Sequence, residues 1–214
     1  MNLEKKRKEM IEFLEKCGYV KYPAVKRAML KVKREDFVLP ECREIAYSNT
    51  PLPIPGGVTI SAEHMHAIFL SALNLKAGDK VLEIGAGSGI LLAYMKEIVG
   101  EKGEVYGVEI IPETYEFAKQ NLKKTGYWNK VKLFLRDGSK GLPEFAPFDK
   151  IVSSAAPRER IPKAWIDQLK PGGILITPLG PPYEQDLIYL EKKKGGGMMK
   201  KNLGPVIFTE LVEK

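Results

Sequence analysis

Apolar and polar positions along the first third of the chain follow a pattern typical of short helices separated by a loop. Apolar side chains recur among lysines and glutamates in residues 3–16, which predicts an amphipathic helix ended by Gly18. A second helix is expected to begin at Pro23, because proline suits the first helical position. Repeated prolines and glycines in residues 37–58 predict a loop with short extended pieces. Ser61 is expected to be the N-cap of a third helix.

From Lys80 onwards the apolar period changes, and short β-rich runs alternate with helical segments. We expect strands at 80–84, 105–109, 131–135, 148–153 and 174–177, and helices at 90–99, 112–124 and 161–169. This alternation predicts an α/β fold with a doubly wound, Rossmann-like, mostly parallel sheet preceded by N-terminal helices. Two final strands, at 186–191 and 205–211, are expected to form an antiparallel edge pair around a mobile loop at 192–201.

The length of 214 residues suits a single domain, with residues 1–60 as a helical and loop extension, 61–180 as the cofactor-binding core and 181–214 as C-terminal strands. No apolar run reaches the roughly 18–20 residues that a membrane helix needs, so we expect no membrane association. The charged N-terminus does not resemble a secretory signal. Two cysteines form neither a disulfide framework nor a zinc site, so we expect a cytoplasmic protein without a metal.

The net charge of +7 raises the question of nucleic acid binding. Residues 1–36 carry eleven basic and six acidic side chains, and residues 191–214 carry six and three, so the middle of the chain is nearly neutral. Basic ends could steer an anionic partner, but solvated helix faces and a loop are the favoured explanation.

Three loops that follow predicted strands carry glycines or carboxylates suited to a nucleoside ligand. Gly85, Gly87 and Gly89 follow the first strand of the core, although such glycines also occur in simple tight turns. Glu109 ends the next strand, where a carboxylate can accept hydrogen bonds from ribose hydroxyls. Asp137 follows the third strand and could accept a bond from an adenine amino group. All three loops lie at the carboxyl ends of strands, where open α/β sheets bind ligands.

This set of residues, with the Leu-Lys-Pro-Gly-Gly segment at 169–173, resembles the class I S-adenosylmethionine-dependent methyltransferases. The resemblance covers residues 76–180 and implies S-adenosylmethionine as the cofactor, with S-adenosyl-L-homocysteine as its product. Together with the more specific resemblance given below, it implies that the cofactor contacts Thr59, Ile60, Ser61, His66, Glu83, Gly85, Ala86, Gly87, Glu109, Ile110, Asp137 and Gly138.

The segment after the fourth core strand bears on the methyl acceptor. Amino methyltransferases of this fold often carry an Asn/Asp-Pro-Pro-aromatic motif there, whereas residues 153–157 read Ser-Ser-Ala-Ala-Pro. This segment offers no aromatic ring and no carboxamide to hold an amine. The sequence therefore favours an oxyanion acceptor, which needs no general base because a carboxylate of pKa ~4 is already ionised at neutral pH.

Residues 50–65, together with 34–38, 137–141, 146–149 and 155–157, resemble the protein-L-isoaspartate O-methyltransferases along nearly the whole chain. The resemblance implies methylation of the α-carboxylate of L-isoaspartyl residues in damaged proteins, which starts their repair to aspartyl. It also implies that Ser61 is the catalytic residue that orients a carboxylate oxygen. The substrate peptide is expected to contact Val58, Thr59, Ser61, Val206 and Ile207.

Three positions depart from the pattern of this family. Glu63 replaces a usual proline and is expected to put a negative charge near an anionic substrate. Lys33 replaces another proline, and Thr-Glu-Leu at 209–211 replaces Val-Pro-Leu. The last two departures concern the N-terminal extension and the segment expected to cover the peptide.

Two other classes of function compete with isoaspartyl methylation. One is a nucleic-acid or small-molecule methyltransferase of the same fold, although Lys192–Lys194 lack the interleaved aromatic rings typical of a nucleic-acid surface, so nucleic acid is disfavoured. The other is a non-catalytic binding module, which the presence of Glu109 and Asp137 disfavours. We expect a monomer whose partners are isoaspartyl-containing peptides and proteins.

Overall fold

The computed structural model describes residues 2–212 of the chain. The α-helices are α1 (Leu3–Lys16), α2 (Pro23–Lys31), α3 (Glu63–Leu73), α4 (Ile90–Val99), α5 (Pro112–Lys124) and α6 (Lys163–Asp167). The strands are β1 (Leu52–Ile54), β2 (Val58–Ile60), β3 (Lys80–Ile84), β4 (Glu104–Glu109), β5 (Lys132–Leu135), β6 (Phe148–Ser153), β7 (Leu169–Leu179), β8 (Gln185–Lys192) and β9 (Met198–Val206). Within the described residues, no helix is both long and apolar enough to cross a lipid bilayer.

Seven strands form one sheet in the order β5-β4-β3-β6-β7-β8-β9. The strands from β5 to β7 in this order are parallel, whereas β8 pairs antiparallel with β7 and β9 antiparallel with β8. The short strands β1 and β2 form a separate antiparallel pair just before α3. The predicted fold class, a mostly parallel doubly wound sheet with an antiparallel C-terminal edge and N-terminal helices, is confirmed.

Successive side chains of the central strands point to opposite faces of the sheet and enter two different apolar clusters. Val81 belongs to the larger cluster, which includes side chains from α1, α2, α3, α4 and α5, and Leu82 belongs to the smaller one around Trp165. Both residues are fully buried. Because helices cover both faces, only the ends of the central strands reach solvent, and the carboxyl ends are available for a site.

The C-terminal strands differ from the prediction. Residues 198–201, assigned to a mobile loop, belong to β9, and the predicted strand at 205–211 leaves the sheet after Val206. The Lys193 N–H donates to the Gly197 carbonyl and the Gly196 N–H donates to the Lys193 carbonyl, which closes a tight turn at 193–197 and returns the chain to the sheet early. This edge strand is largely exposed and therefore needs no apolar pattern, which is why the sequence did not indicate it.

The strand β7 is also longer than predicted. The predicted helix at 161–169 shortens to α6, and β7 begins at Leu169 rather than Ile174. The Gln168 carbonyl accepts a hydrogen bond from the Phe148 N–H, which draws the chain into the sheet. An irregularity in the pairing of β6 with β7 accommodates the Pro-Gly-Gly segment that was expected to be a turn.

Candidate cofactor and substrate site

A cavity of about 770 Å³ opens at the carboxyl ends of the central parallel strands. Its walls come from β2, the start of α3, the loops after β3, β4, β5 and β6, and the tail at 205–212. The sheet therefore brings together residues that are distant in sequence. Of the predicted site residues, those that line the cavity are Val58, Thr59, Ile60, Ser61, His66, Glu83, Gly85, Ala86, Gly87, Glu109, Ile110, Gly138, Val206 and Ile207.

Glycines bring the backbone close to this cavity at two points. Gly87 has a φ of +55°, a left-handed conformation that other residues rarely adopt. At Gly138 an added Cβ would lie 2.7 Å from the Ile84 Cγ2 atom, so a larger residue would clash with the end of β3. Both glycines therefore have steric roles that a side chain would disturb.

Glu109 connects the end of β4 to the glycine loop. Its Oε2 atom accepts a hydrogen bond from the Gly87 N–H at 3.0 Å, and its Oε1 atom accepts bonds from the Ile110 and Ile111 N–H groups at 2.8 and 3.1 Å. The side chain is 6% exposed. These donors fix the Glu109 side chain at the cavity wall, where it retains lone pairs for a ligand hydroxyl.

Glu83, one strand away, has a very different environment. It is 1% exposed, its Oε2 atom has no hydrogen-bond partner, and the Ser154 Oγ atom lies 3.5 Å from its Oε1 atom. Burial, and then the negative charge of Glu109, raise the pKa of Glu83 well above its usual range. A buried carboxyl atom without a partner at a cavity wall suits a hydrogen-bonding or cationic ligand group.

Asp137 is not among the described residues that line the cavity. Its Oδ1 atom accepts a hydrogen bond from the Ser139 N–H at 2.8 Å, which stabilises the turn after β5. The adjoining Gly138 does line the cavity, and its carbonyl accepts a 2.8 Å bond from the Trp165 indole. The third strand thus contributes backbone to the site in this structure, whereas contact of the Asp137 carboxylate with a ligand stays a prediction.

The predicted N-cap role of Ser61 is wrong. Helix α3 begins at Glu63 with Ala62 as its N-cap, so Ser61 lies one residue too early to cap it. The Oδ1 atom of Asn49 instead accepts the bond from the His64 N–H at 2.9 Å. The Ser61 hydroxyl lines the cavity, and no residue in the described part of the chain forms a hydrogen bond with it.

The expected negative charge of Glu63 beside the substrate is also corrected. Glu63 is 2% exposed and lies outside the cavity lining, where it accepts a 3.1 Å hydrogen bond from the Tyr94 hydroxyl. Burial opposes its ionisation, but His66 and Arg34 outweigh burial and lower the pKa of Glu63. Tyr94 and Arg34 come from distant segments, so the sequence alone did not reveal that the charge of Glu63 is compensated.

His66 connects this buried cluster to the cavity, which it lines with a ring that is 4% exposed. Its Nδ1 atom lies 3.8 Å from a Glu63 oxygen. Burial lowers the pKa of His66 despite this carboxylate, so the ring is neutral at physiological pH. A neutral imidazole can pack against an aromatic or apolar part of a ligand.

The tail after β9 forms one wall of the cavity. The Gln185 side chain accepts a bond from the Phe208 N–H at 2.7 Å and donates one to the Phe208 carbonyl at 3.1 Å. Ala156 forms two further 2.8 Å backbone bonds, with Thr209 and Leu211. These contacts hold Val206 and Ile207 at the cavity, and Ile207 remains 70% exposed.

Several lining residues were missed from the sequence, among them Arg136, Pro182 and Tyr183. Tyr183 follows two prolines in the loop after β7 and is 82% exposed. Because β7 is parallel to β6, this loop emerges at the same edge of the sheet as the glycine loop. That rule could have indicated Tyr183 from the sequence.

Relatives that match this chain along nearly its whole length belong to one family. The sequence model of the protein-L-isoaspartate(D-aspartate) O-methyltransferases matches residues 5–214. The protein-L-isoaspartate O-methyltransferase of Methanococcus aeolicus is 50% identical over 210 residues, which cover 98% of this chain and 95% of the relative. That of Ignicoccus hospitalis is 47% identical over 212 residues, which cover 99% of this chain and 100% of the relative.

A solved structure extends this similarity to the fold. The crystal structure of a Plasmodium falciparum protein in complex with S-adenosyl-L-homocysteine, described as a protein-L-isoaspartate O-methyltransferase, superposes with a TM-score of 0.86 at 30% identity. The match covers 97% of this chain and 99% of the other. The chain therefore belongs to the protein-L-isoaspartate(D-aspartate) O-methyltransferase family.

Proposed function

We propose that this protein methylates the α-carboxylate of L-isoaspartyl residues in damaged proteins, with S-adenosylmethionine as the methyl donor, and so initiates their repair to aspartyl. One observation carries the proposal. In a chain of this family, a single cavity is lined by the glycine loop, by the fixed carboxylate of Glu109 and by the unpartnered hydroxyl of Ser61.

The residues at the cavity wall fit S-adenosylmethionine. The backbone approaches closely at the glycine loop and at Gly138, and the unpartnered Oε2 atom of Glu83 suits the ammonium group of the methionine portion. Glu109 would accept bonds from the ribose hydroxyls, and Asp137 would accept one from the adenine amino group. The remaining proposed cofactor contacts are Thr59, Ile60, Ser61, His66, Gly85, Ala86, Gly87 and Ile110.

The cofactor supplies a methyl group activated on a sulfonium, which is transferred by in-line displacement. The protein's task is therefore chiefly to align the acceptor oxygen with that methyl group. Ser61 would do so by donating its hydroxyl hydrogen bond to the substrate carboxylate, whose ordinary pKa of ~4 keeps it ionised without a base. Burial lowers the pKa of His66 and favours its neutral form, so the ring adds no positive charge beside the acceptor carboxylate.

The substrate peptide would lie between β2 and the tail. Val58 and Thr59 border the cavity on one side, and Val206 and Ile207 border it on the other. The high exposure of Ile207 leaves apolar surface for the peptide. Backbone groups of β2 and the tail could form hydrogen bonds with an extended chain.

Transfer of a labelled methyl group to paired peptides tests the proposal. The two peptides have the same sequence and differ only in one isoaspartyl or aspartyl linkage. Label should enter the isoaspartyl peptide alone, and equal labelling of both peptides, or of neither, would overturn the proposal. Labelling of added RNA or DNA instead would favour the nucleic-acid alternative. A monomeric state, a cytoplasmic location and the division into an extension, a core and C-terminal strands stay predictions.

A further inference from the structure

Two carboxylates line the same cavity with contrasting sets of partners. Glu109 accepts hydrogen bonds from three backbone N–H groups. Glu83 has one oxygen without any partner and another that is 3.5 Å from the Ser154 hydroxyl. Donors stabilise the ionised form of a carboxylate, and Glu83 lacks the backbone donors that surround Glu109.

The position of Glu83 in the sheet strengthens this difference. It lies on the central strand β3, beside Gly107 of β4 and Val152 of β6, and is 1% exposed. The groups that act on its carboxyl are Glu109 from β4 and Ser154 from the end of β6. The other titratable residues of the cavity lining are His64, His66, Arg136, Tyr183 and Glu210. Burial and the neighbouring negative charge therefore both favour the protonated acid.

We propose that Glu83 carries a proton in the ligand-free protein and releases it to the solvent when the ammonium group of the cofactor binds. The O–H bond of the Glu83 carboxylic acid breaks, the proton passes to the buffer, and the resulting carboxylate pairs with the ligand ammonium. No other reactant is needed. The inference rests on the proposed function, because it requires a ligand with an amino-acid portion in this cavity.

This coupling has a defined pH dependence. Only the deprotonated form of Glu83 pairs with the ammonium, so affinity should rise with pH until Glu83 is already ionised in the free protein. Above that point, no proton is released and affinity no longer rises. A ligand without an ammonium group has no such pairing, and its affinity should not depend on Glu83.

Titration calorimetry with S-adenosyl-L-homocysteine tests the coupling without methyl transfer. At about pH 5.5, above the ordinary pKa of a glutamate, binding is measured in two buffers that differ in ionisation enthalpy. The difference in apparent enthalpy gives the number of protons released, which should approach about one per site. The matched ligand is 5′-methylthioadenosine, which keeps the nucleoside and thioether but lacks the ammonium group and should release none.

Two variants assign the proton. Glu83→Gln resembles the protonated acid in shape, so it should fold, bind S-adenosyl-L-homocysteine about 10- to 100-fold more weakly and release no proton. Ser154→Ala removes a long contact and should release the proton as the wild type does. Binding to the wild type without proton release, or equal release by Glu83→Gln, would overturn this inference alone. Failure of S-adenosyl-L-homocysteine to bind would overturn the proposed function and this inference with it.

Discussion

The side chain of Asn49 accepts a hydrogen bond from the backbone N–H of His64 at 2.9 Å, and the same oxygen lies 3.0 Å from the His64 Nδ1 atom. A residue from the preceding loop thus accepts a hydrogen bond from a backbone N–H in the first turn of α3 and orients the His64 ring, which lines the cavity. Asn49 adopts a left-handed conformation with a φ of +57°, which asparagine tolerates better than most residues. The start of α3, and Ser61 beside it, are therefore positioned from outside the helix.

We expect Asn49→Gly to lower the free energy of unfolding by about 1 kcal/mol, because it removes the hydrogen bond and keeps the left-handed conformation available. Asn49→Ala should cost about 1 kcal/mol more, because alanine is strained at this φ. Urea denaturation of both variants measures the two effects. Equal losses for glycine and alanine would contradict the role of the backbone conformation.

Ser61→Ala should reduce kcat by about 10- to 100-fold, the effect of losing one hydrogen bond to a charged oxygen. The affinity for S-adenosyl-L-homocysteine should change much less, because the hydroxyl acts on the acceptor. Steady-state kinetics with the isoaspartyl peptide measure the change in kcat, and calorimetry with S-adenosyl-L-homocysteine measures the change in affinity. The control is Ser48→Ala, which alters an exposed serine outside the cavity lining.

Glu109→Ala should show the opposite balance and weaken binding of S-adenosyl-L-homocysteine by about 100-fold, because two ribose hydroxyls lose a charged acceptor. The glycine loop also loses the partner of its Gly87 N–H, so the unliganded variant should unfold at lower urea concentration. The control is Glu113→Ala, which removes an exposed carboxylate from the first turn of α5. Unchanged cofactor binding would disprove Glu109 as the ribose partner.

Glu83 should make the stability of the unliganded protein depend on pH. The pKa of Glu83 is raised in the folded state. Above the ordinary glutamate pKa of ~4.3, the unfolded chain has lost the Glu83 proton, so folding must take one up. The folded wild type therefore becomes less stable as pH rises. Glu83→Gln removes that requirement. Relative to the wild type, its free energy of unfolding should therefore increase as pH rises above the ordinary glutamate pKa of ~4.3 in urea titrations. For the exposed Glu113→Gln the difference should stay flat.

Tyr183 occupies the third position of a turn closed by a 3.0 Å hydrogen bond from the Glu184 N–H to the Pro181 carbonyl. Its φ of +67° is the conformation that glycine adopts at this position of a type II turn. Because the ring is 82% exposed, Tyr183→Gly should leave the free energy of unfolding within about 1 kcal/mol of the wild type. We expect the peptide KM to rise severalfold, because the ring lines the cavity.

The control for this position is Tyr183→Asn, which removes the ring and still tolerates the left-handed conformation. Its KM should rise as in the glycine variant. An unchanged KM in both variants would show that the ring does not contact the peptide.

Local patterns predicted the central part of the fold well. The strands β3 and β6 and the helices α4 and α5 have the predicted bounds, because each buries a regular apolar face next to glycine or proline boundaries. The carboxyl-end rule also placed Gly87, Glu109 and Gly138 at one cavity. Such features depend on neighbouring residues in sequence.

Features that depend on distant partners were predicted poorly. The N-cap of α3 was wrong because Asn49 reaches it from another loop, and the role of Glu63 was wrong because Tyr94 and Arg34 lie far away in sequence. The strand β9 was misplaced because an exposed edge strand has no apolar period. In each case, the missing information is a contact that forms only when the chain folds.

The contacts of Gln185 and Ala156 with the tail have a consequence for synthesis on the ribosome. The glycine loop, Glu109 and Ser61 emerge early, but the wall that carries Val206 and Ile207 is translated last, at and beyond the end of β9. A nascent chain stalled before this segment would therefore carry the cofactor-facing residues and lack the peptide-facing wall. The residues proposed to bind the cofactor are thus synthesised before those proposed to contact the damaged protein.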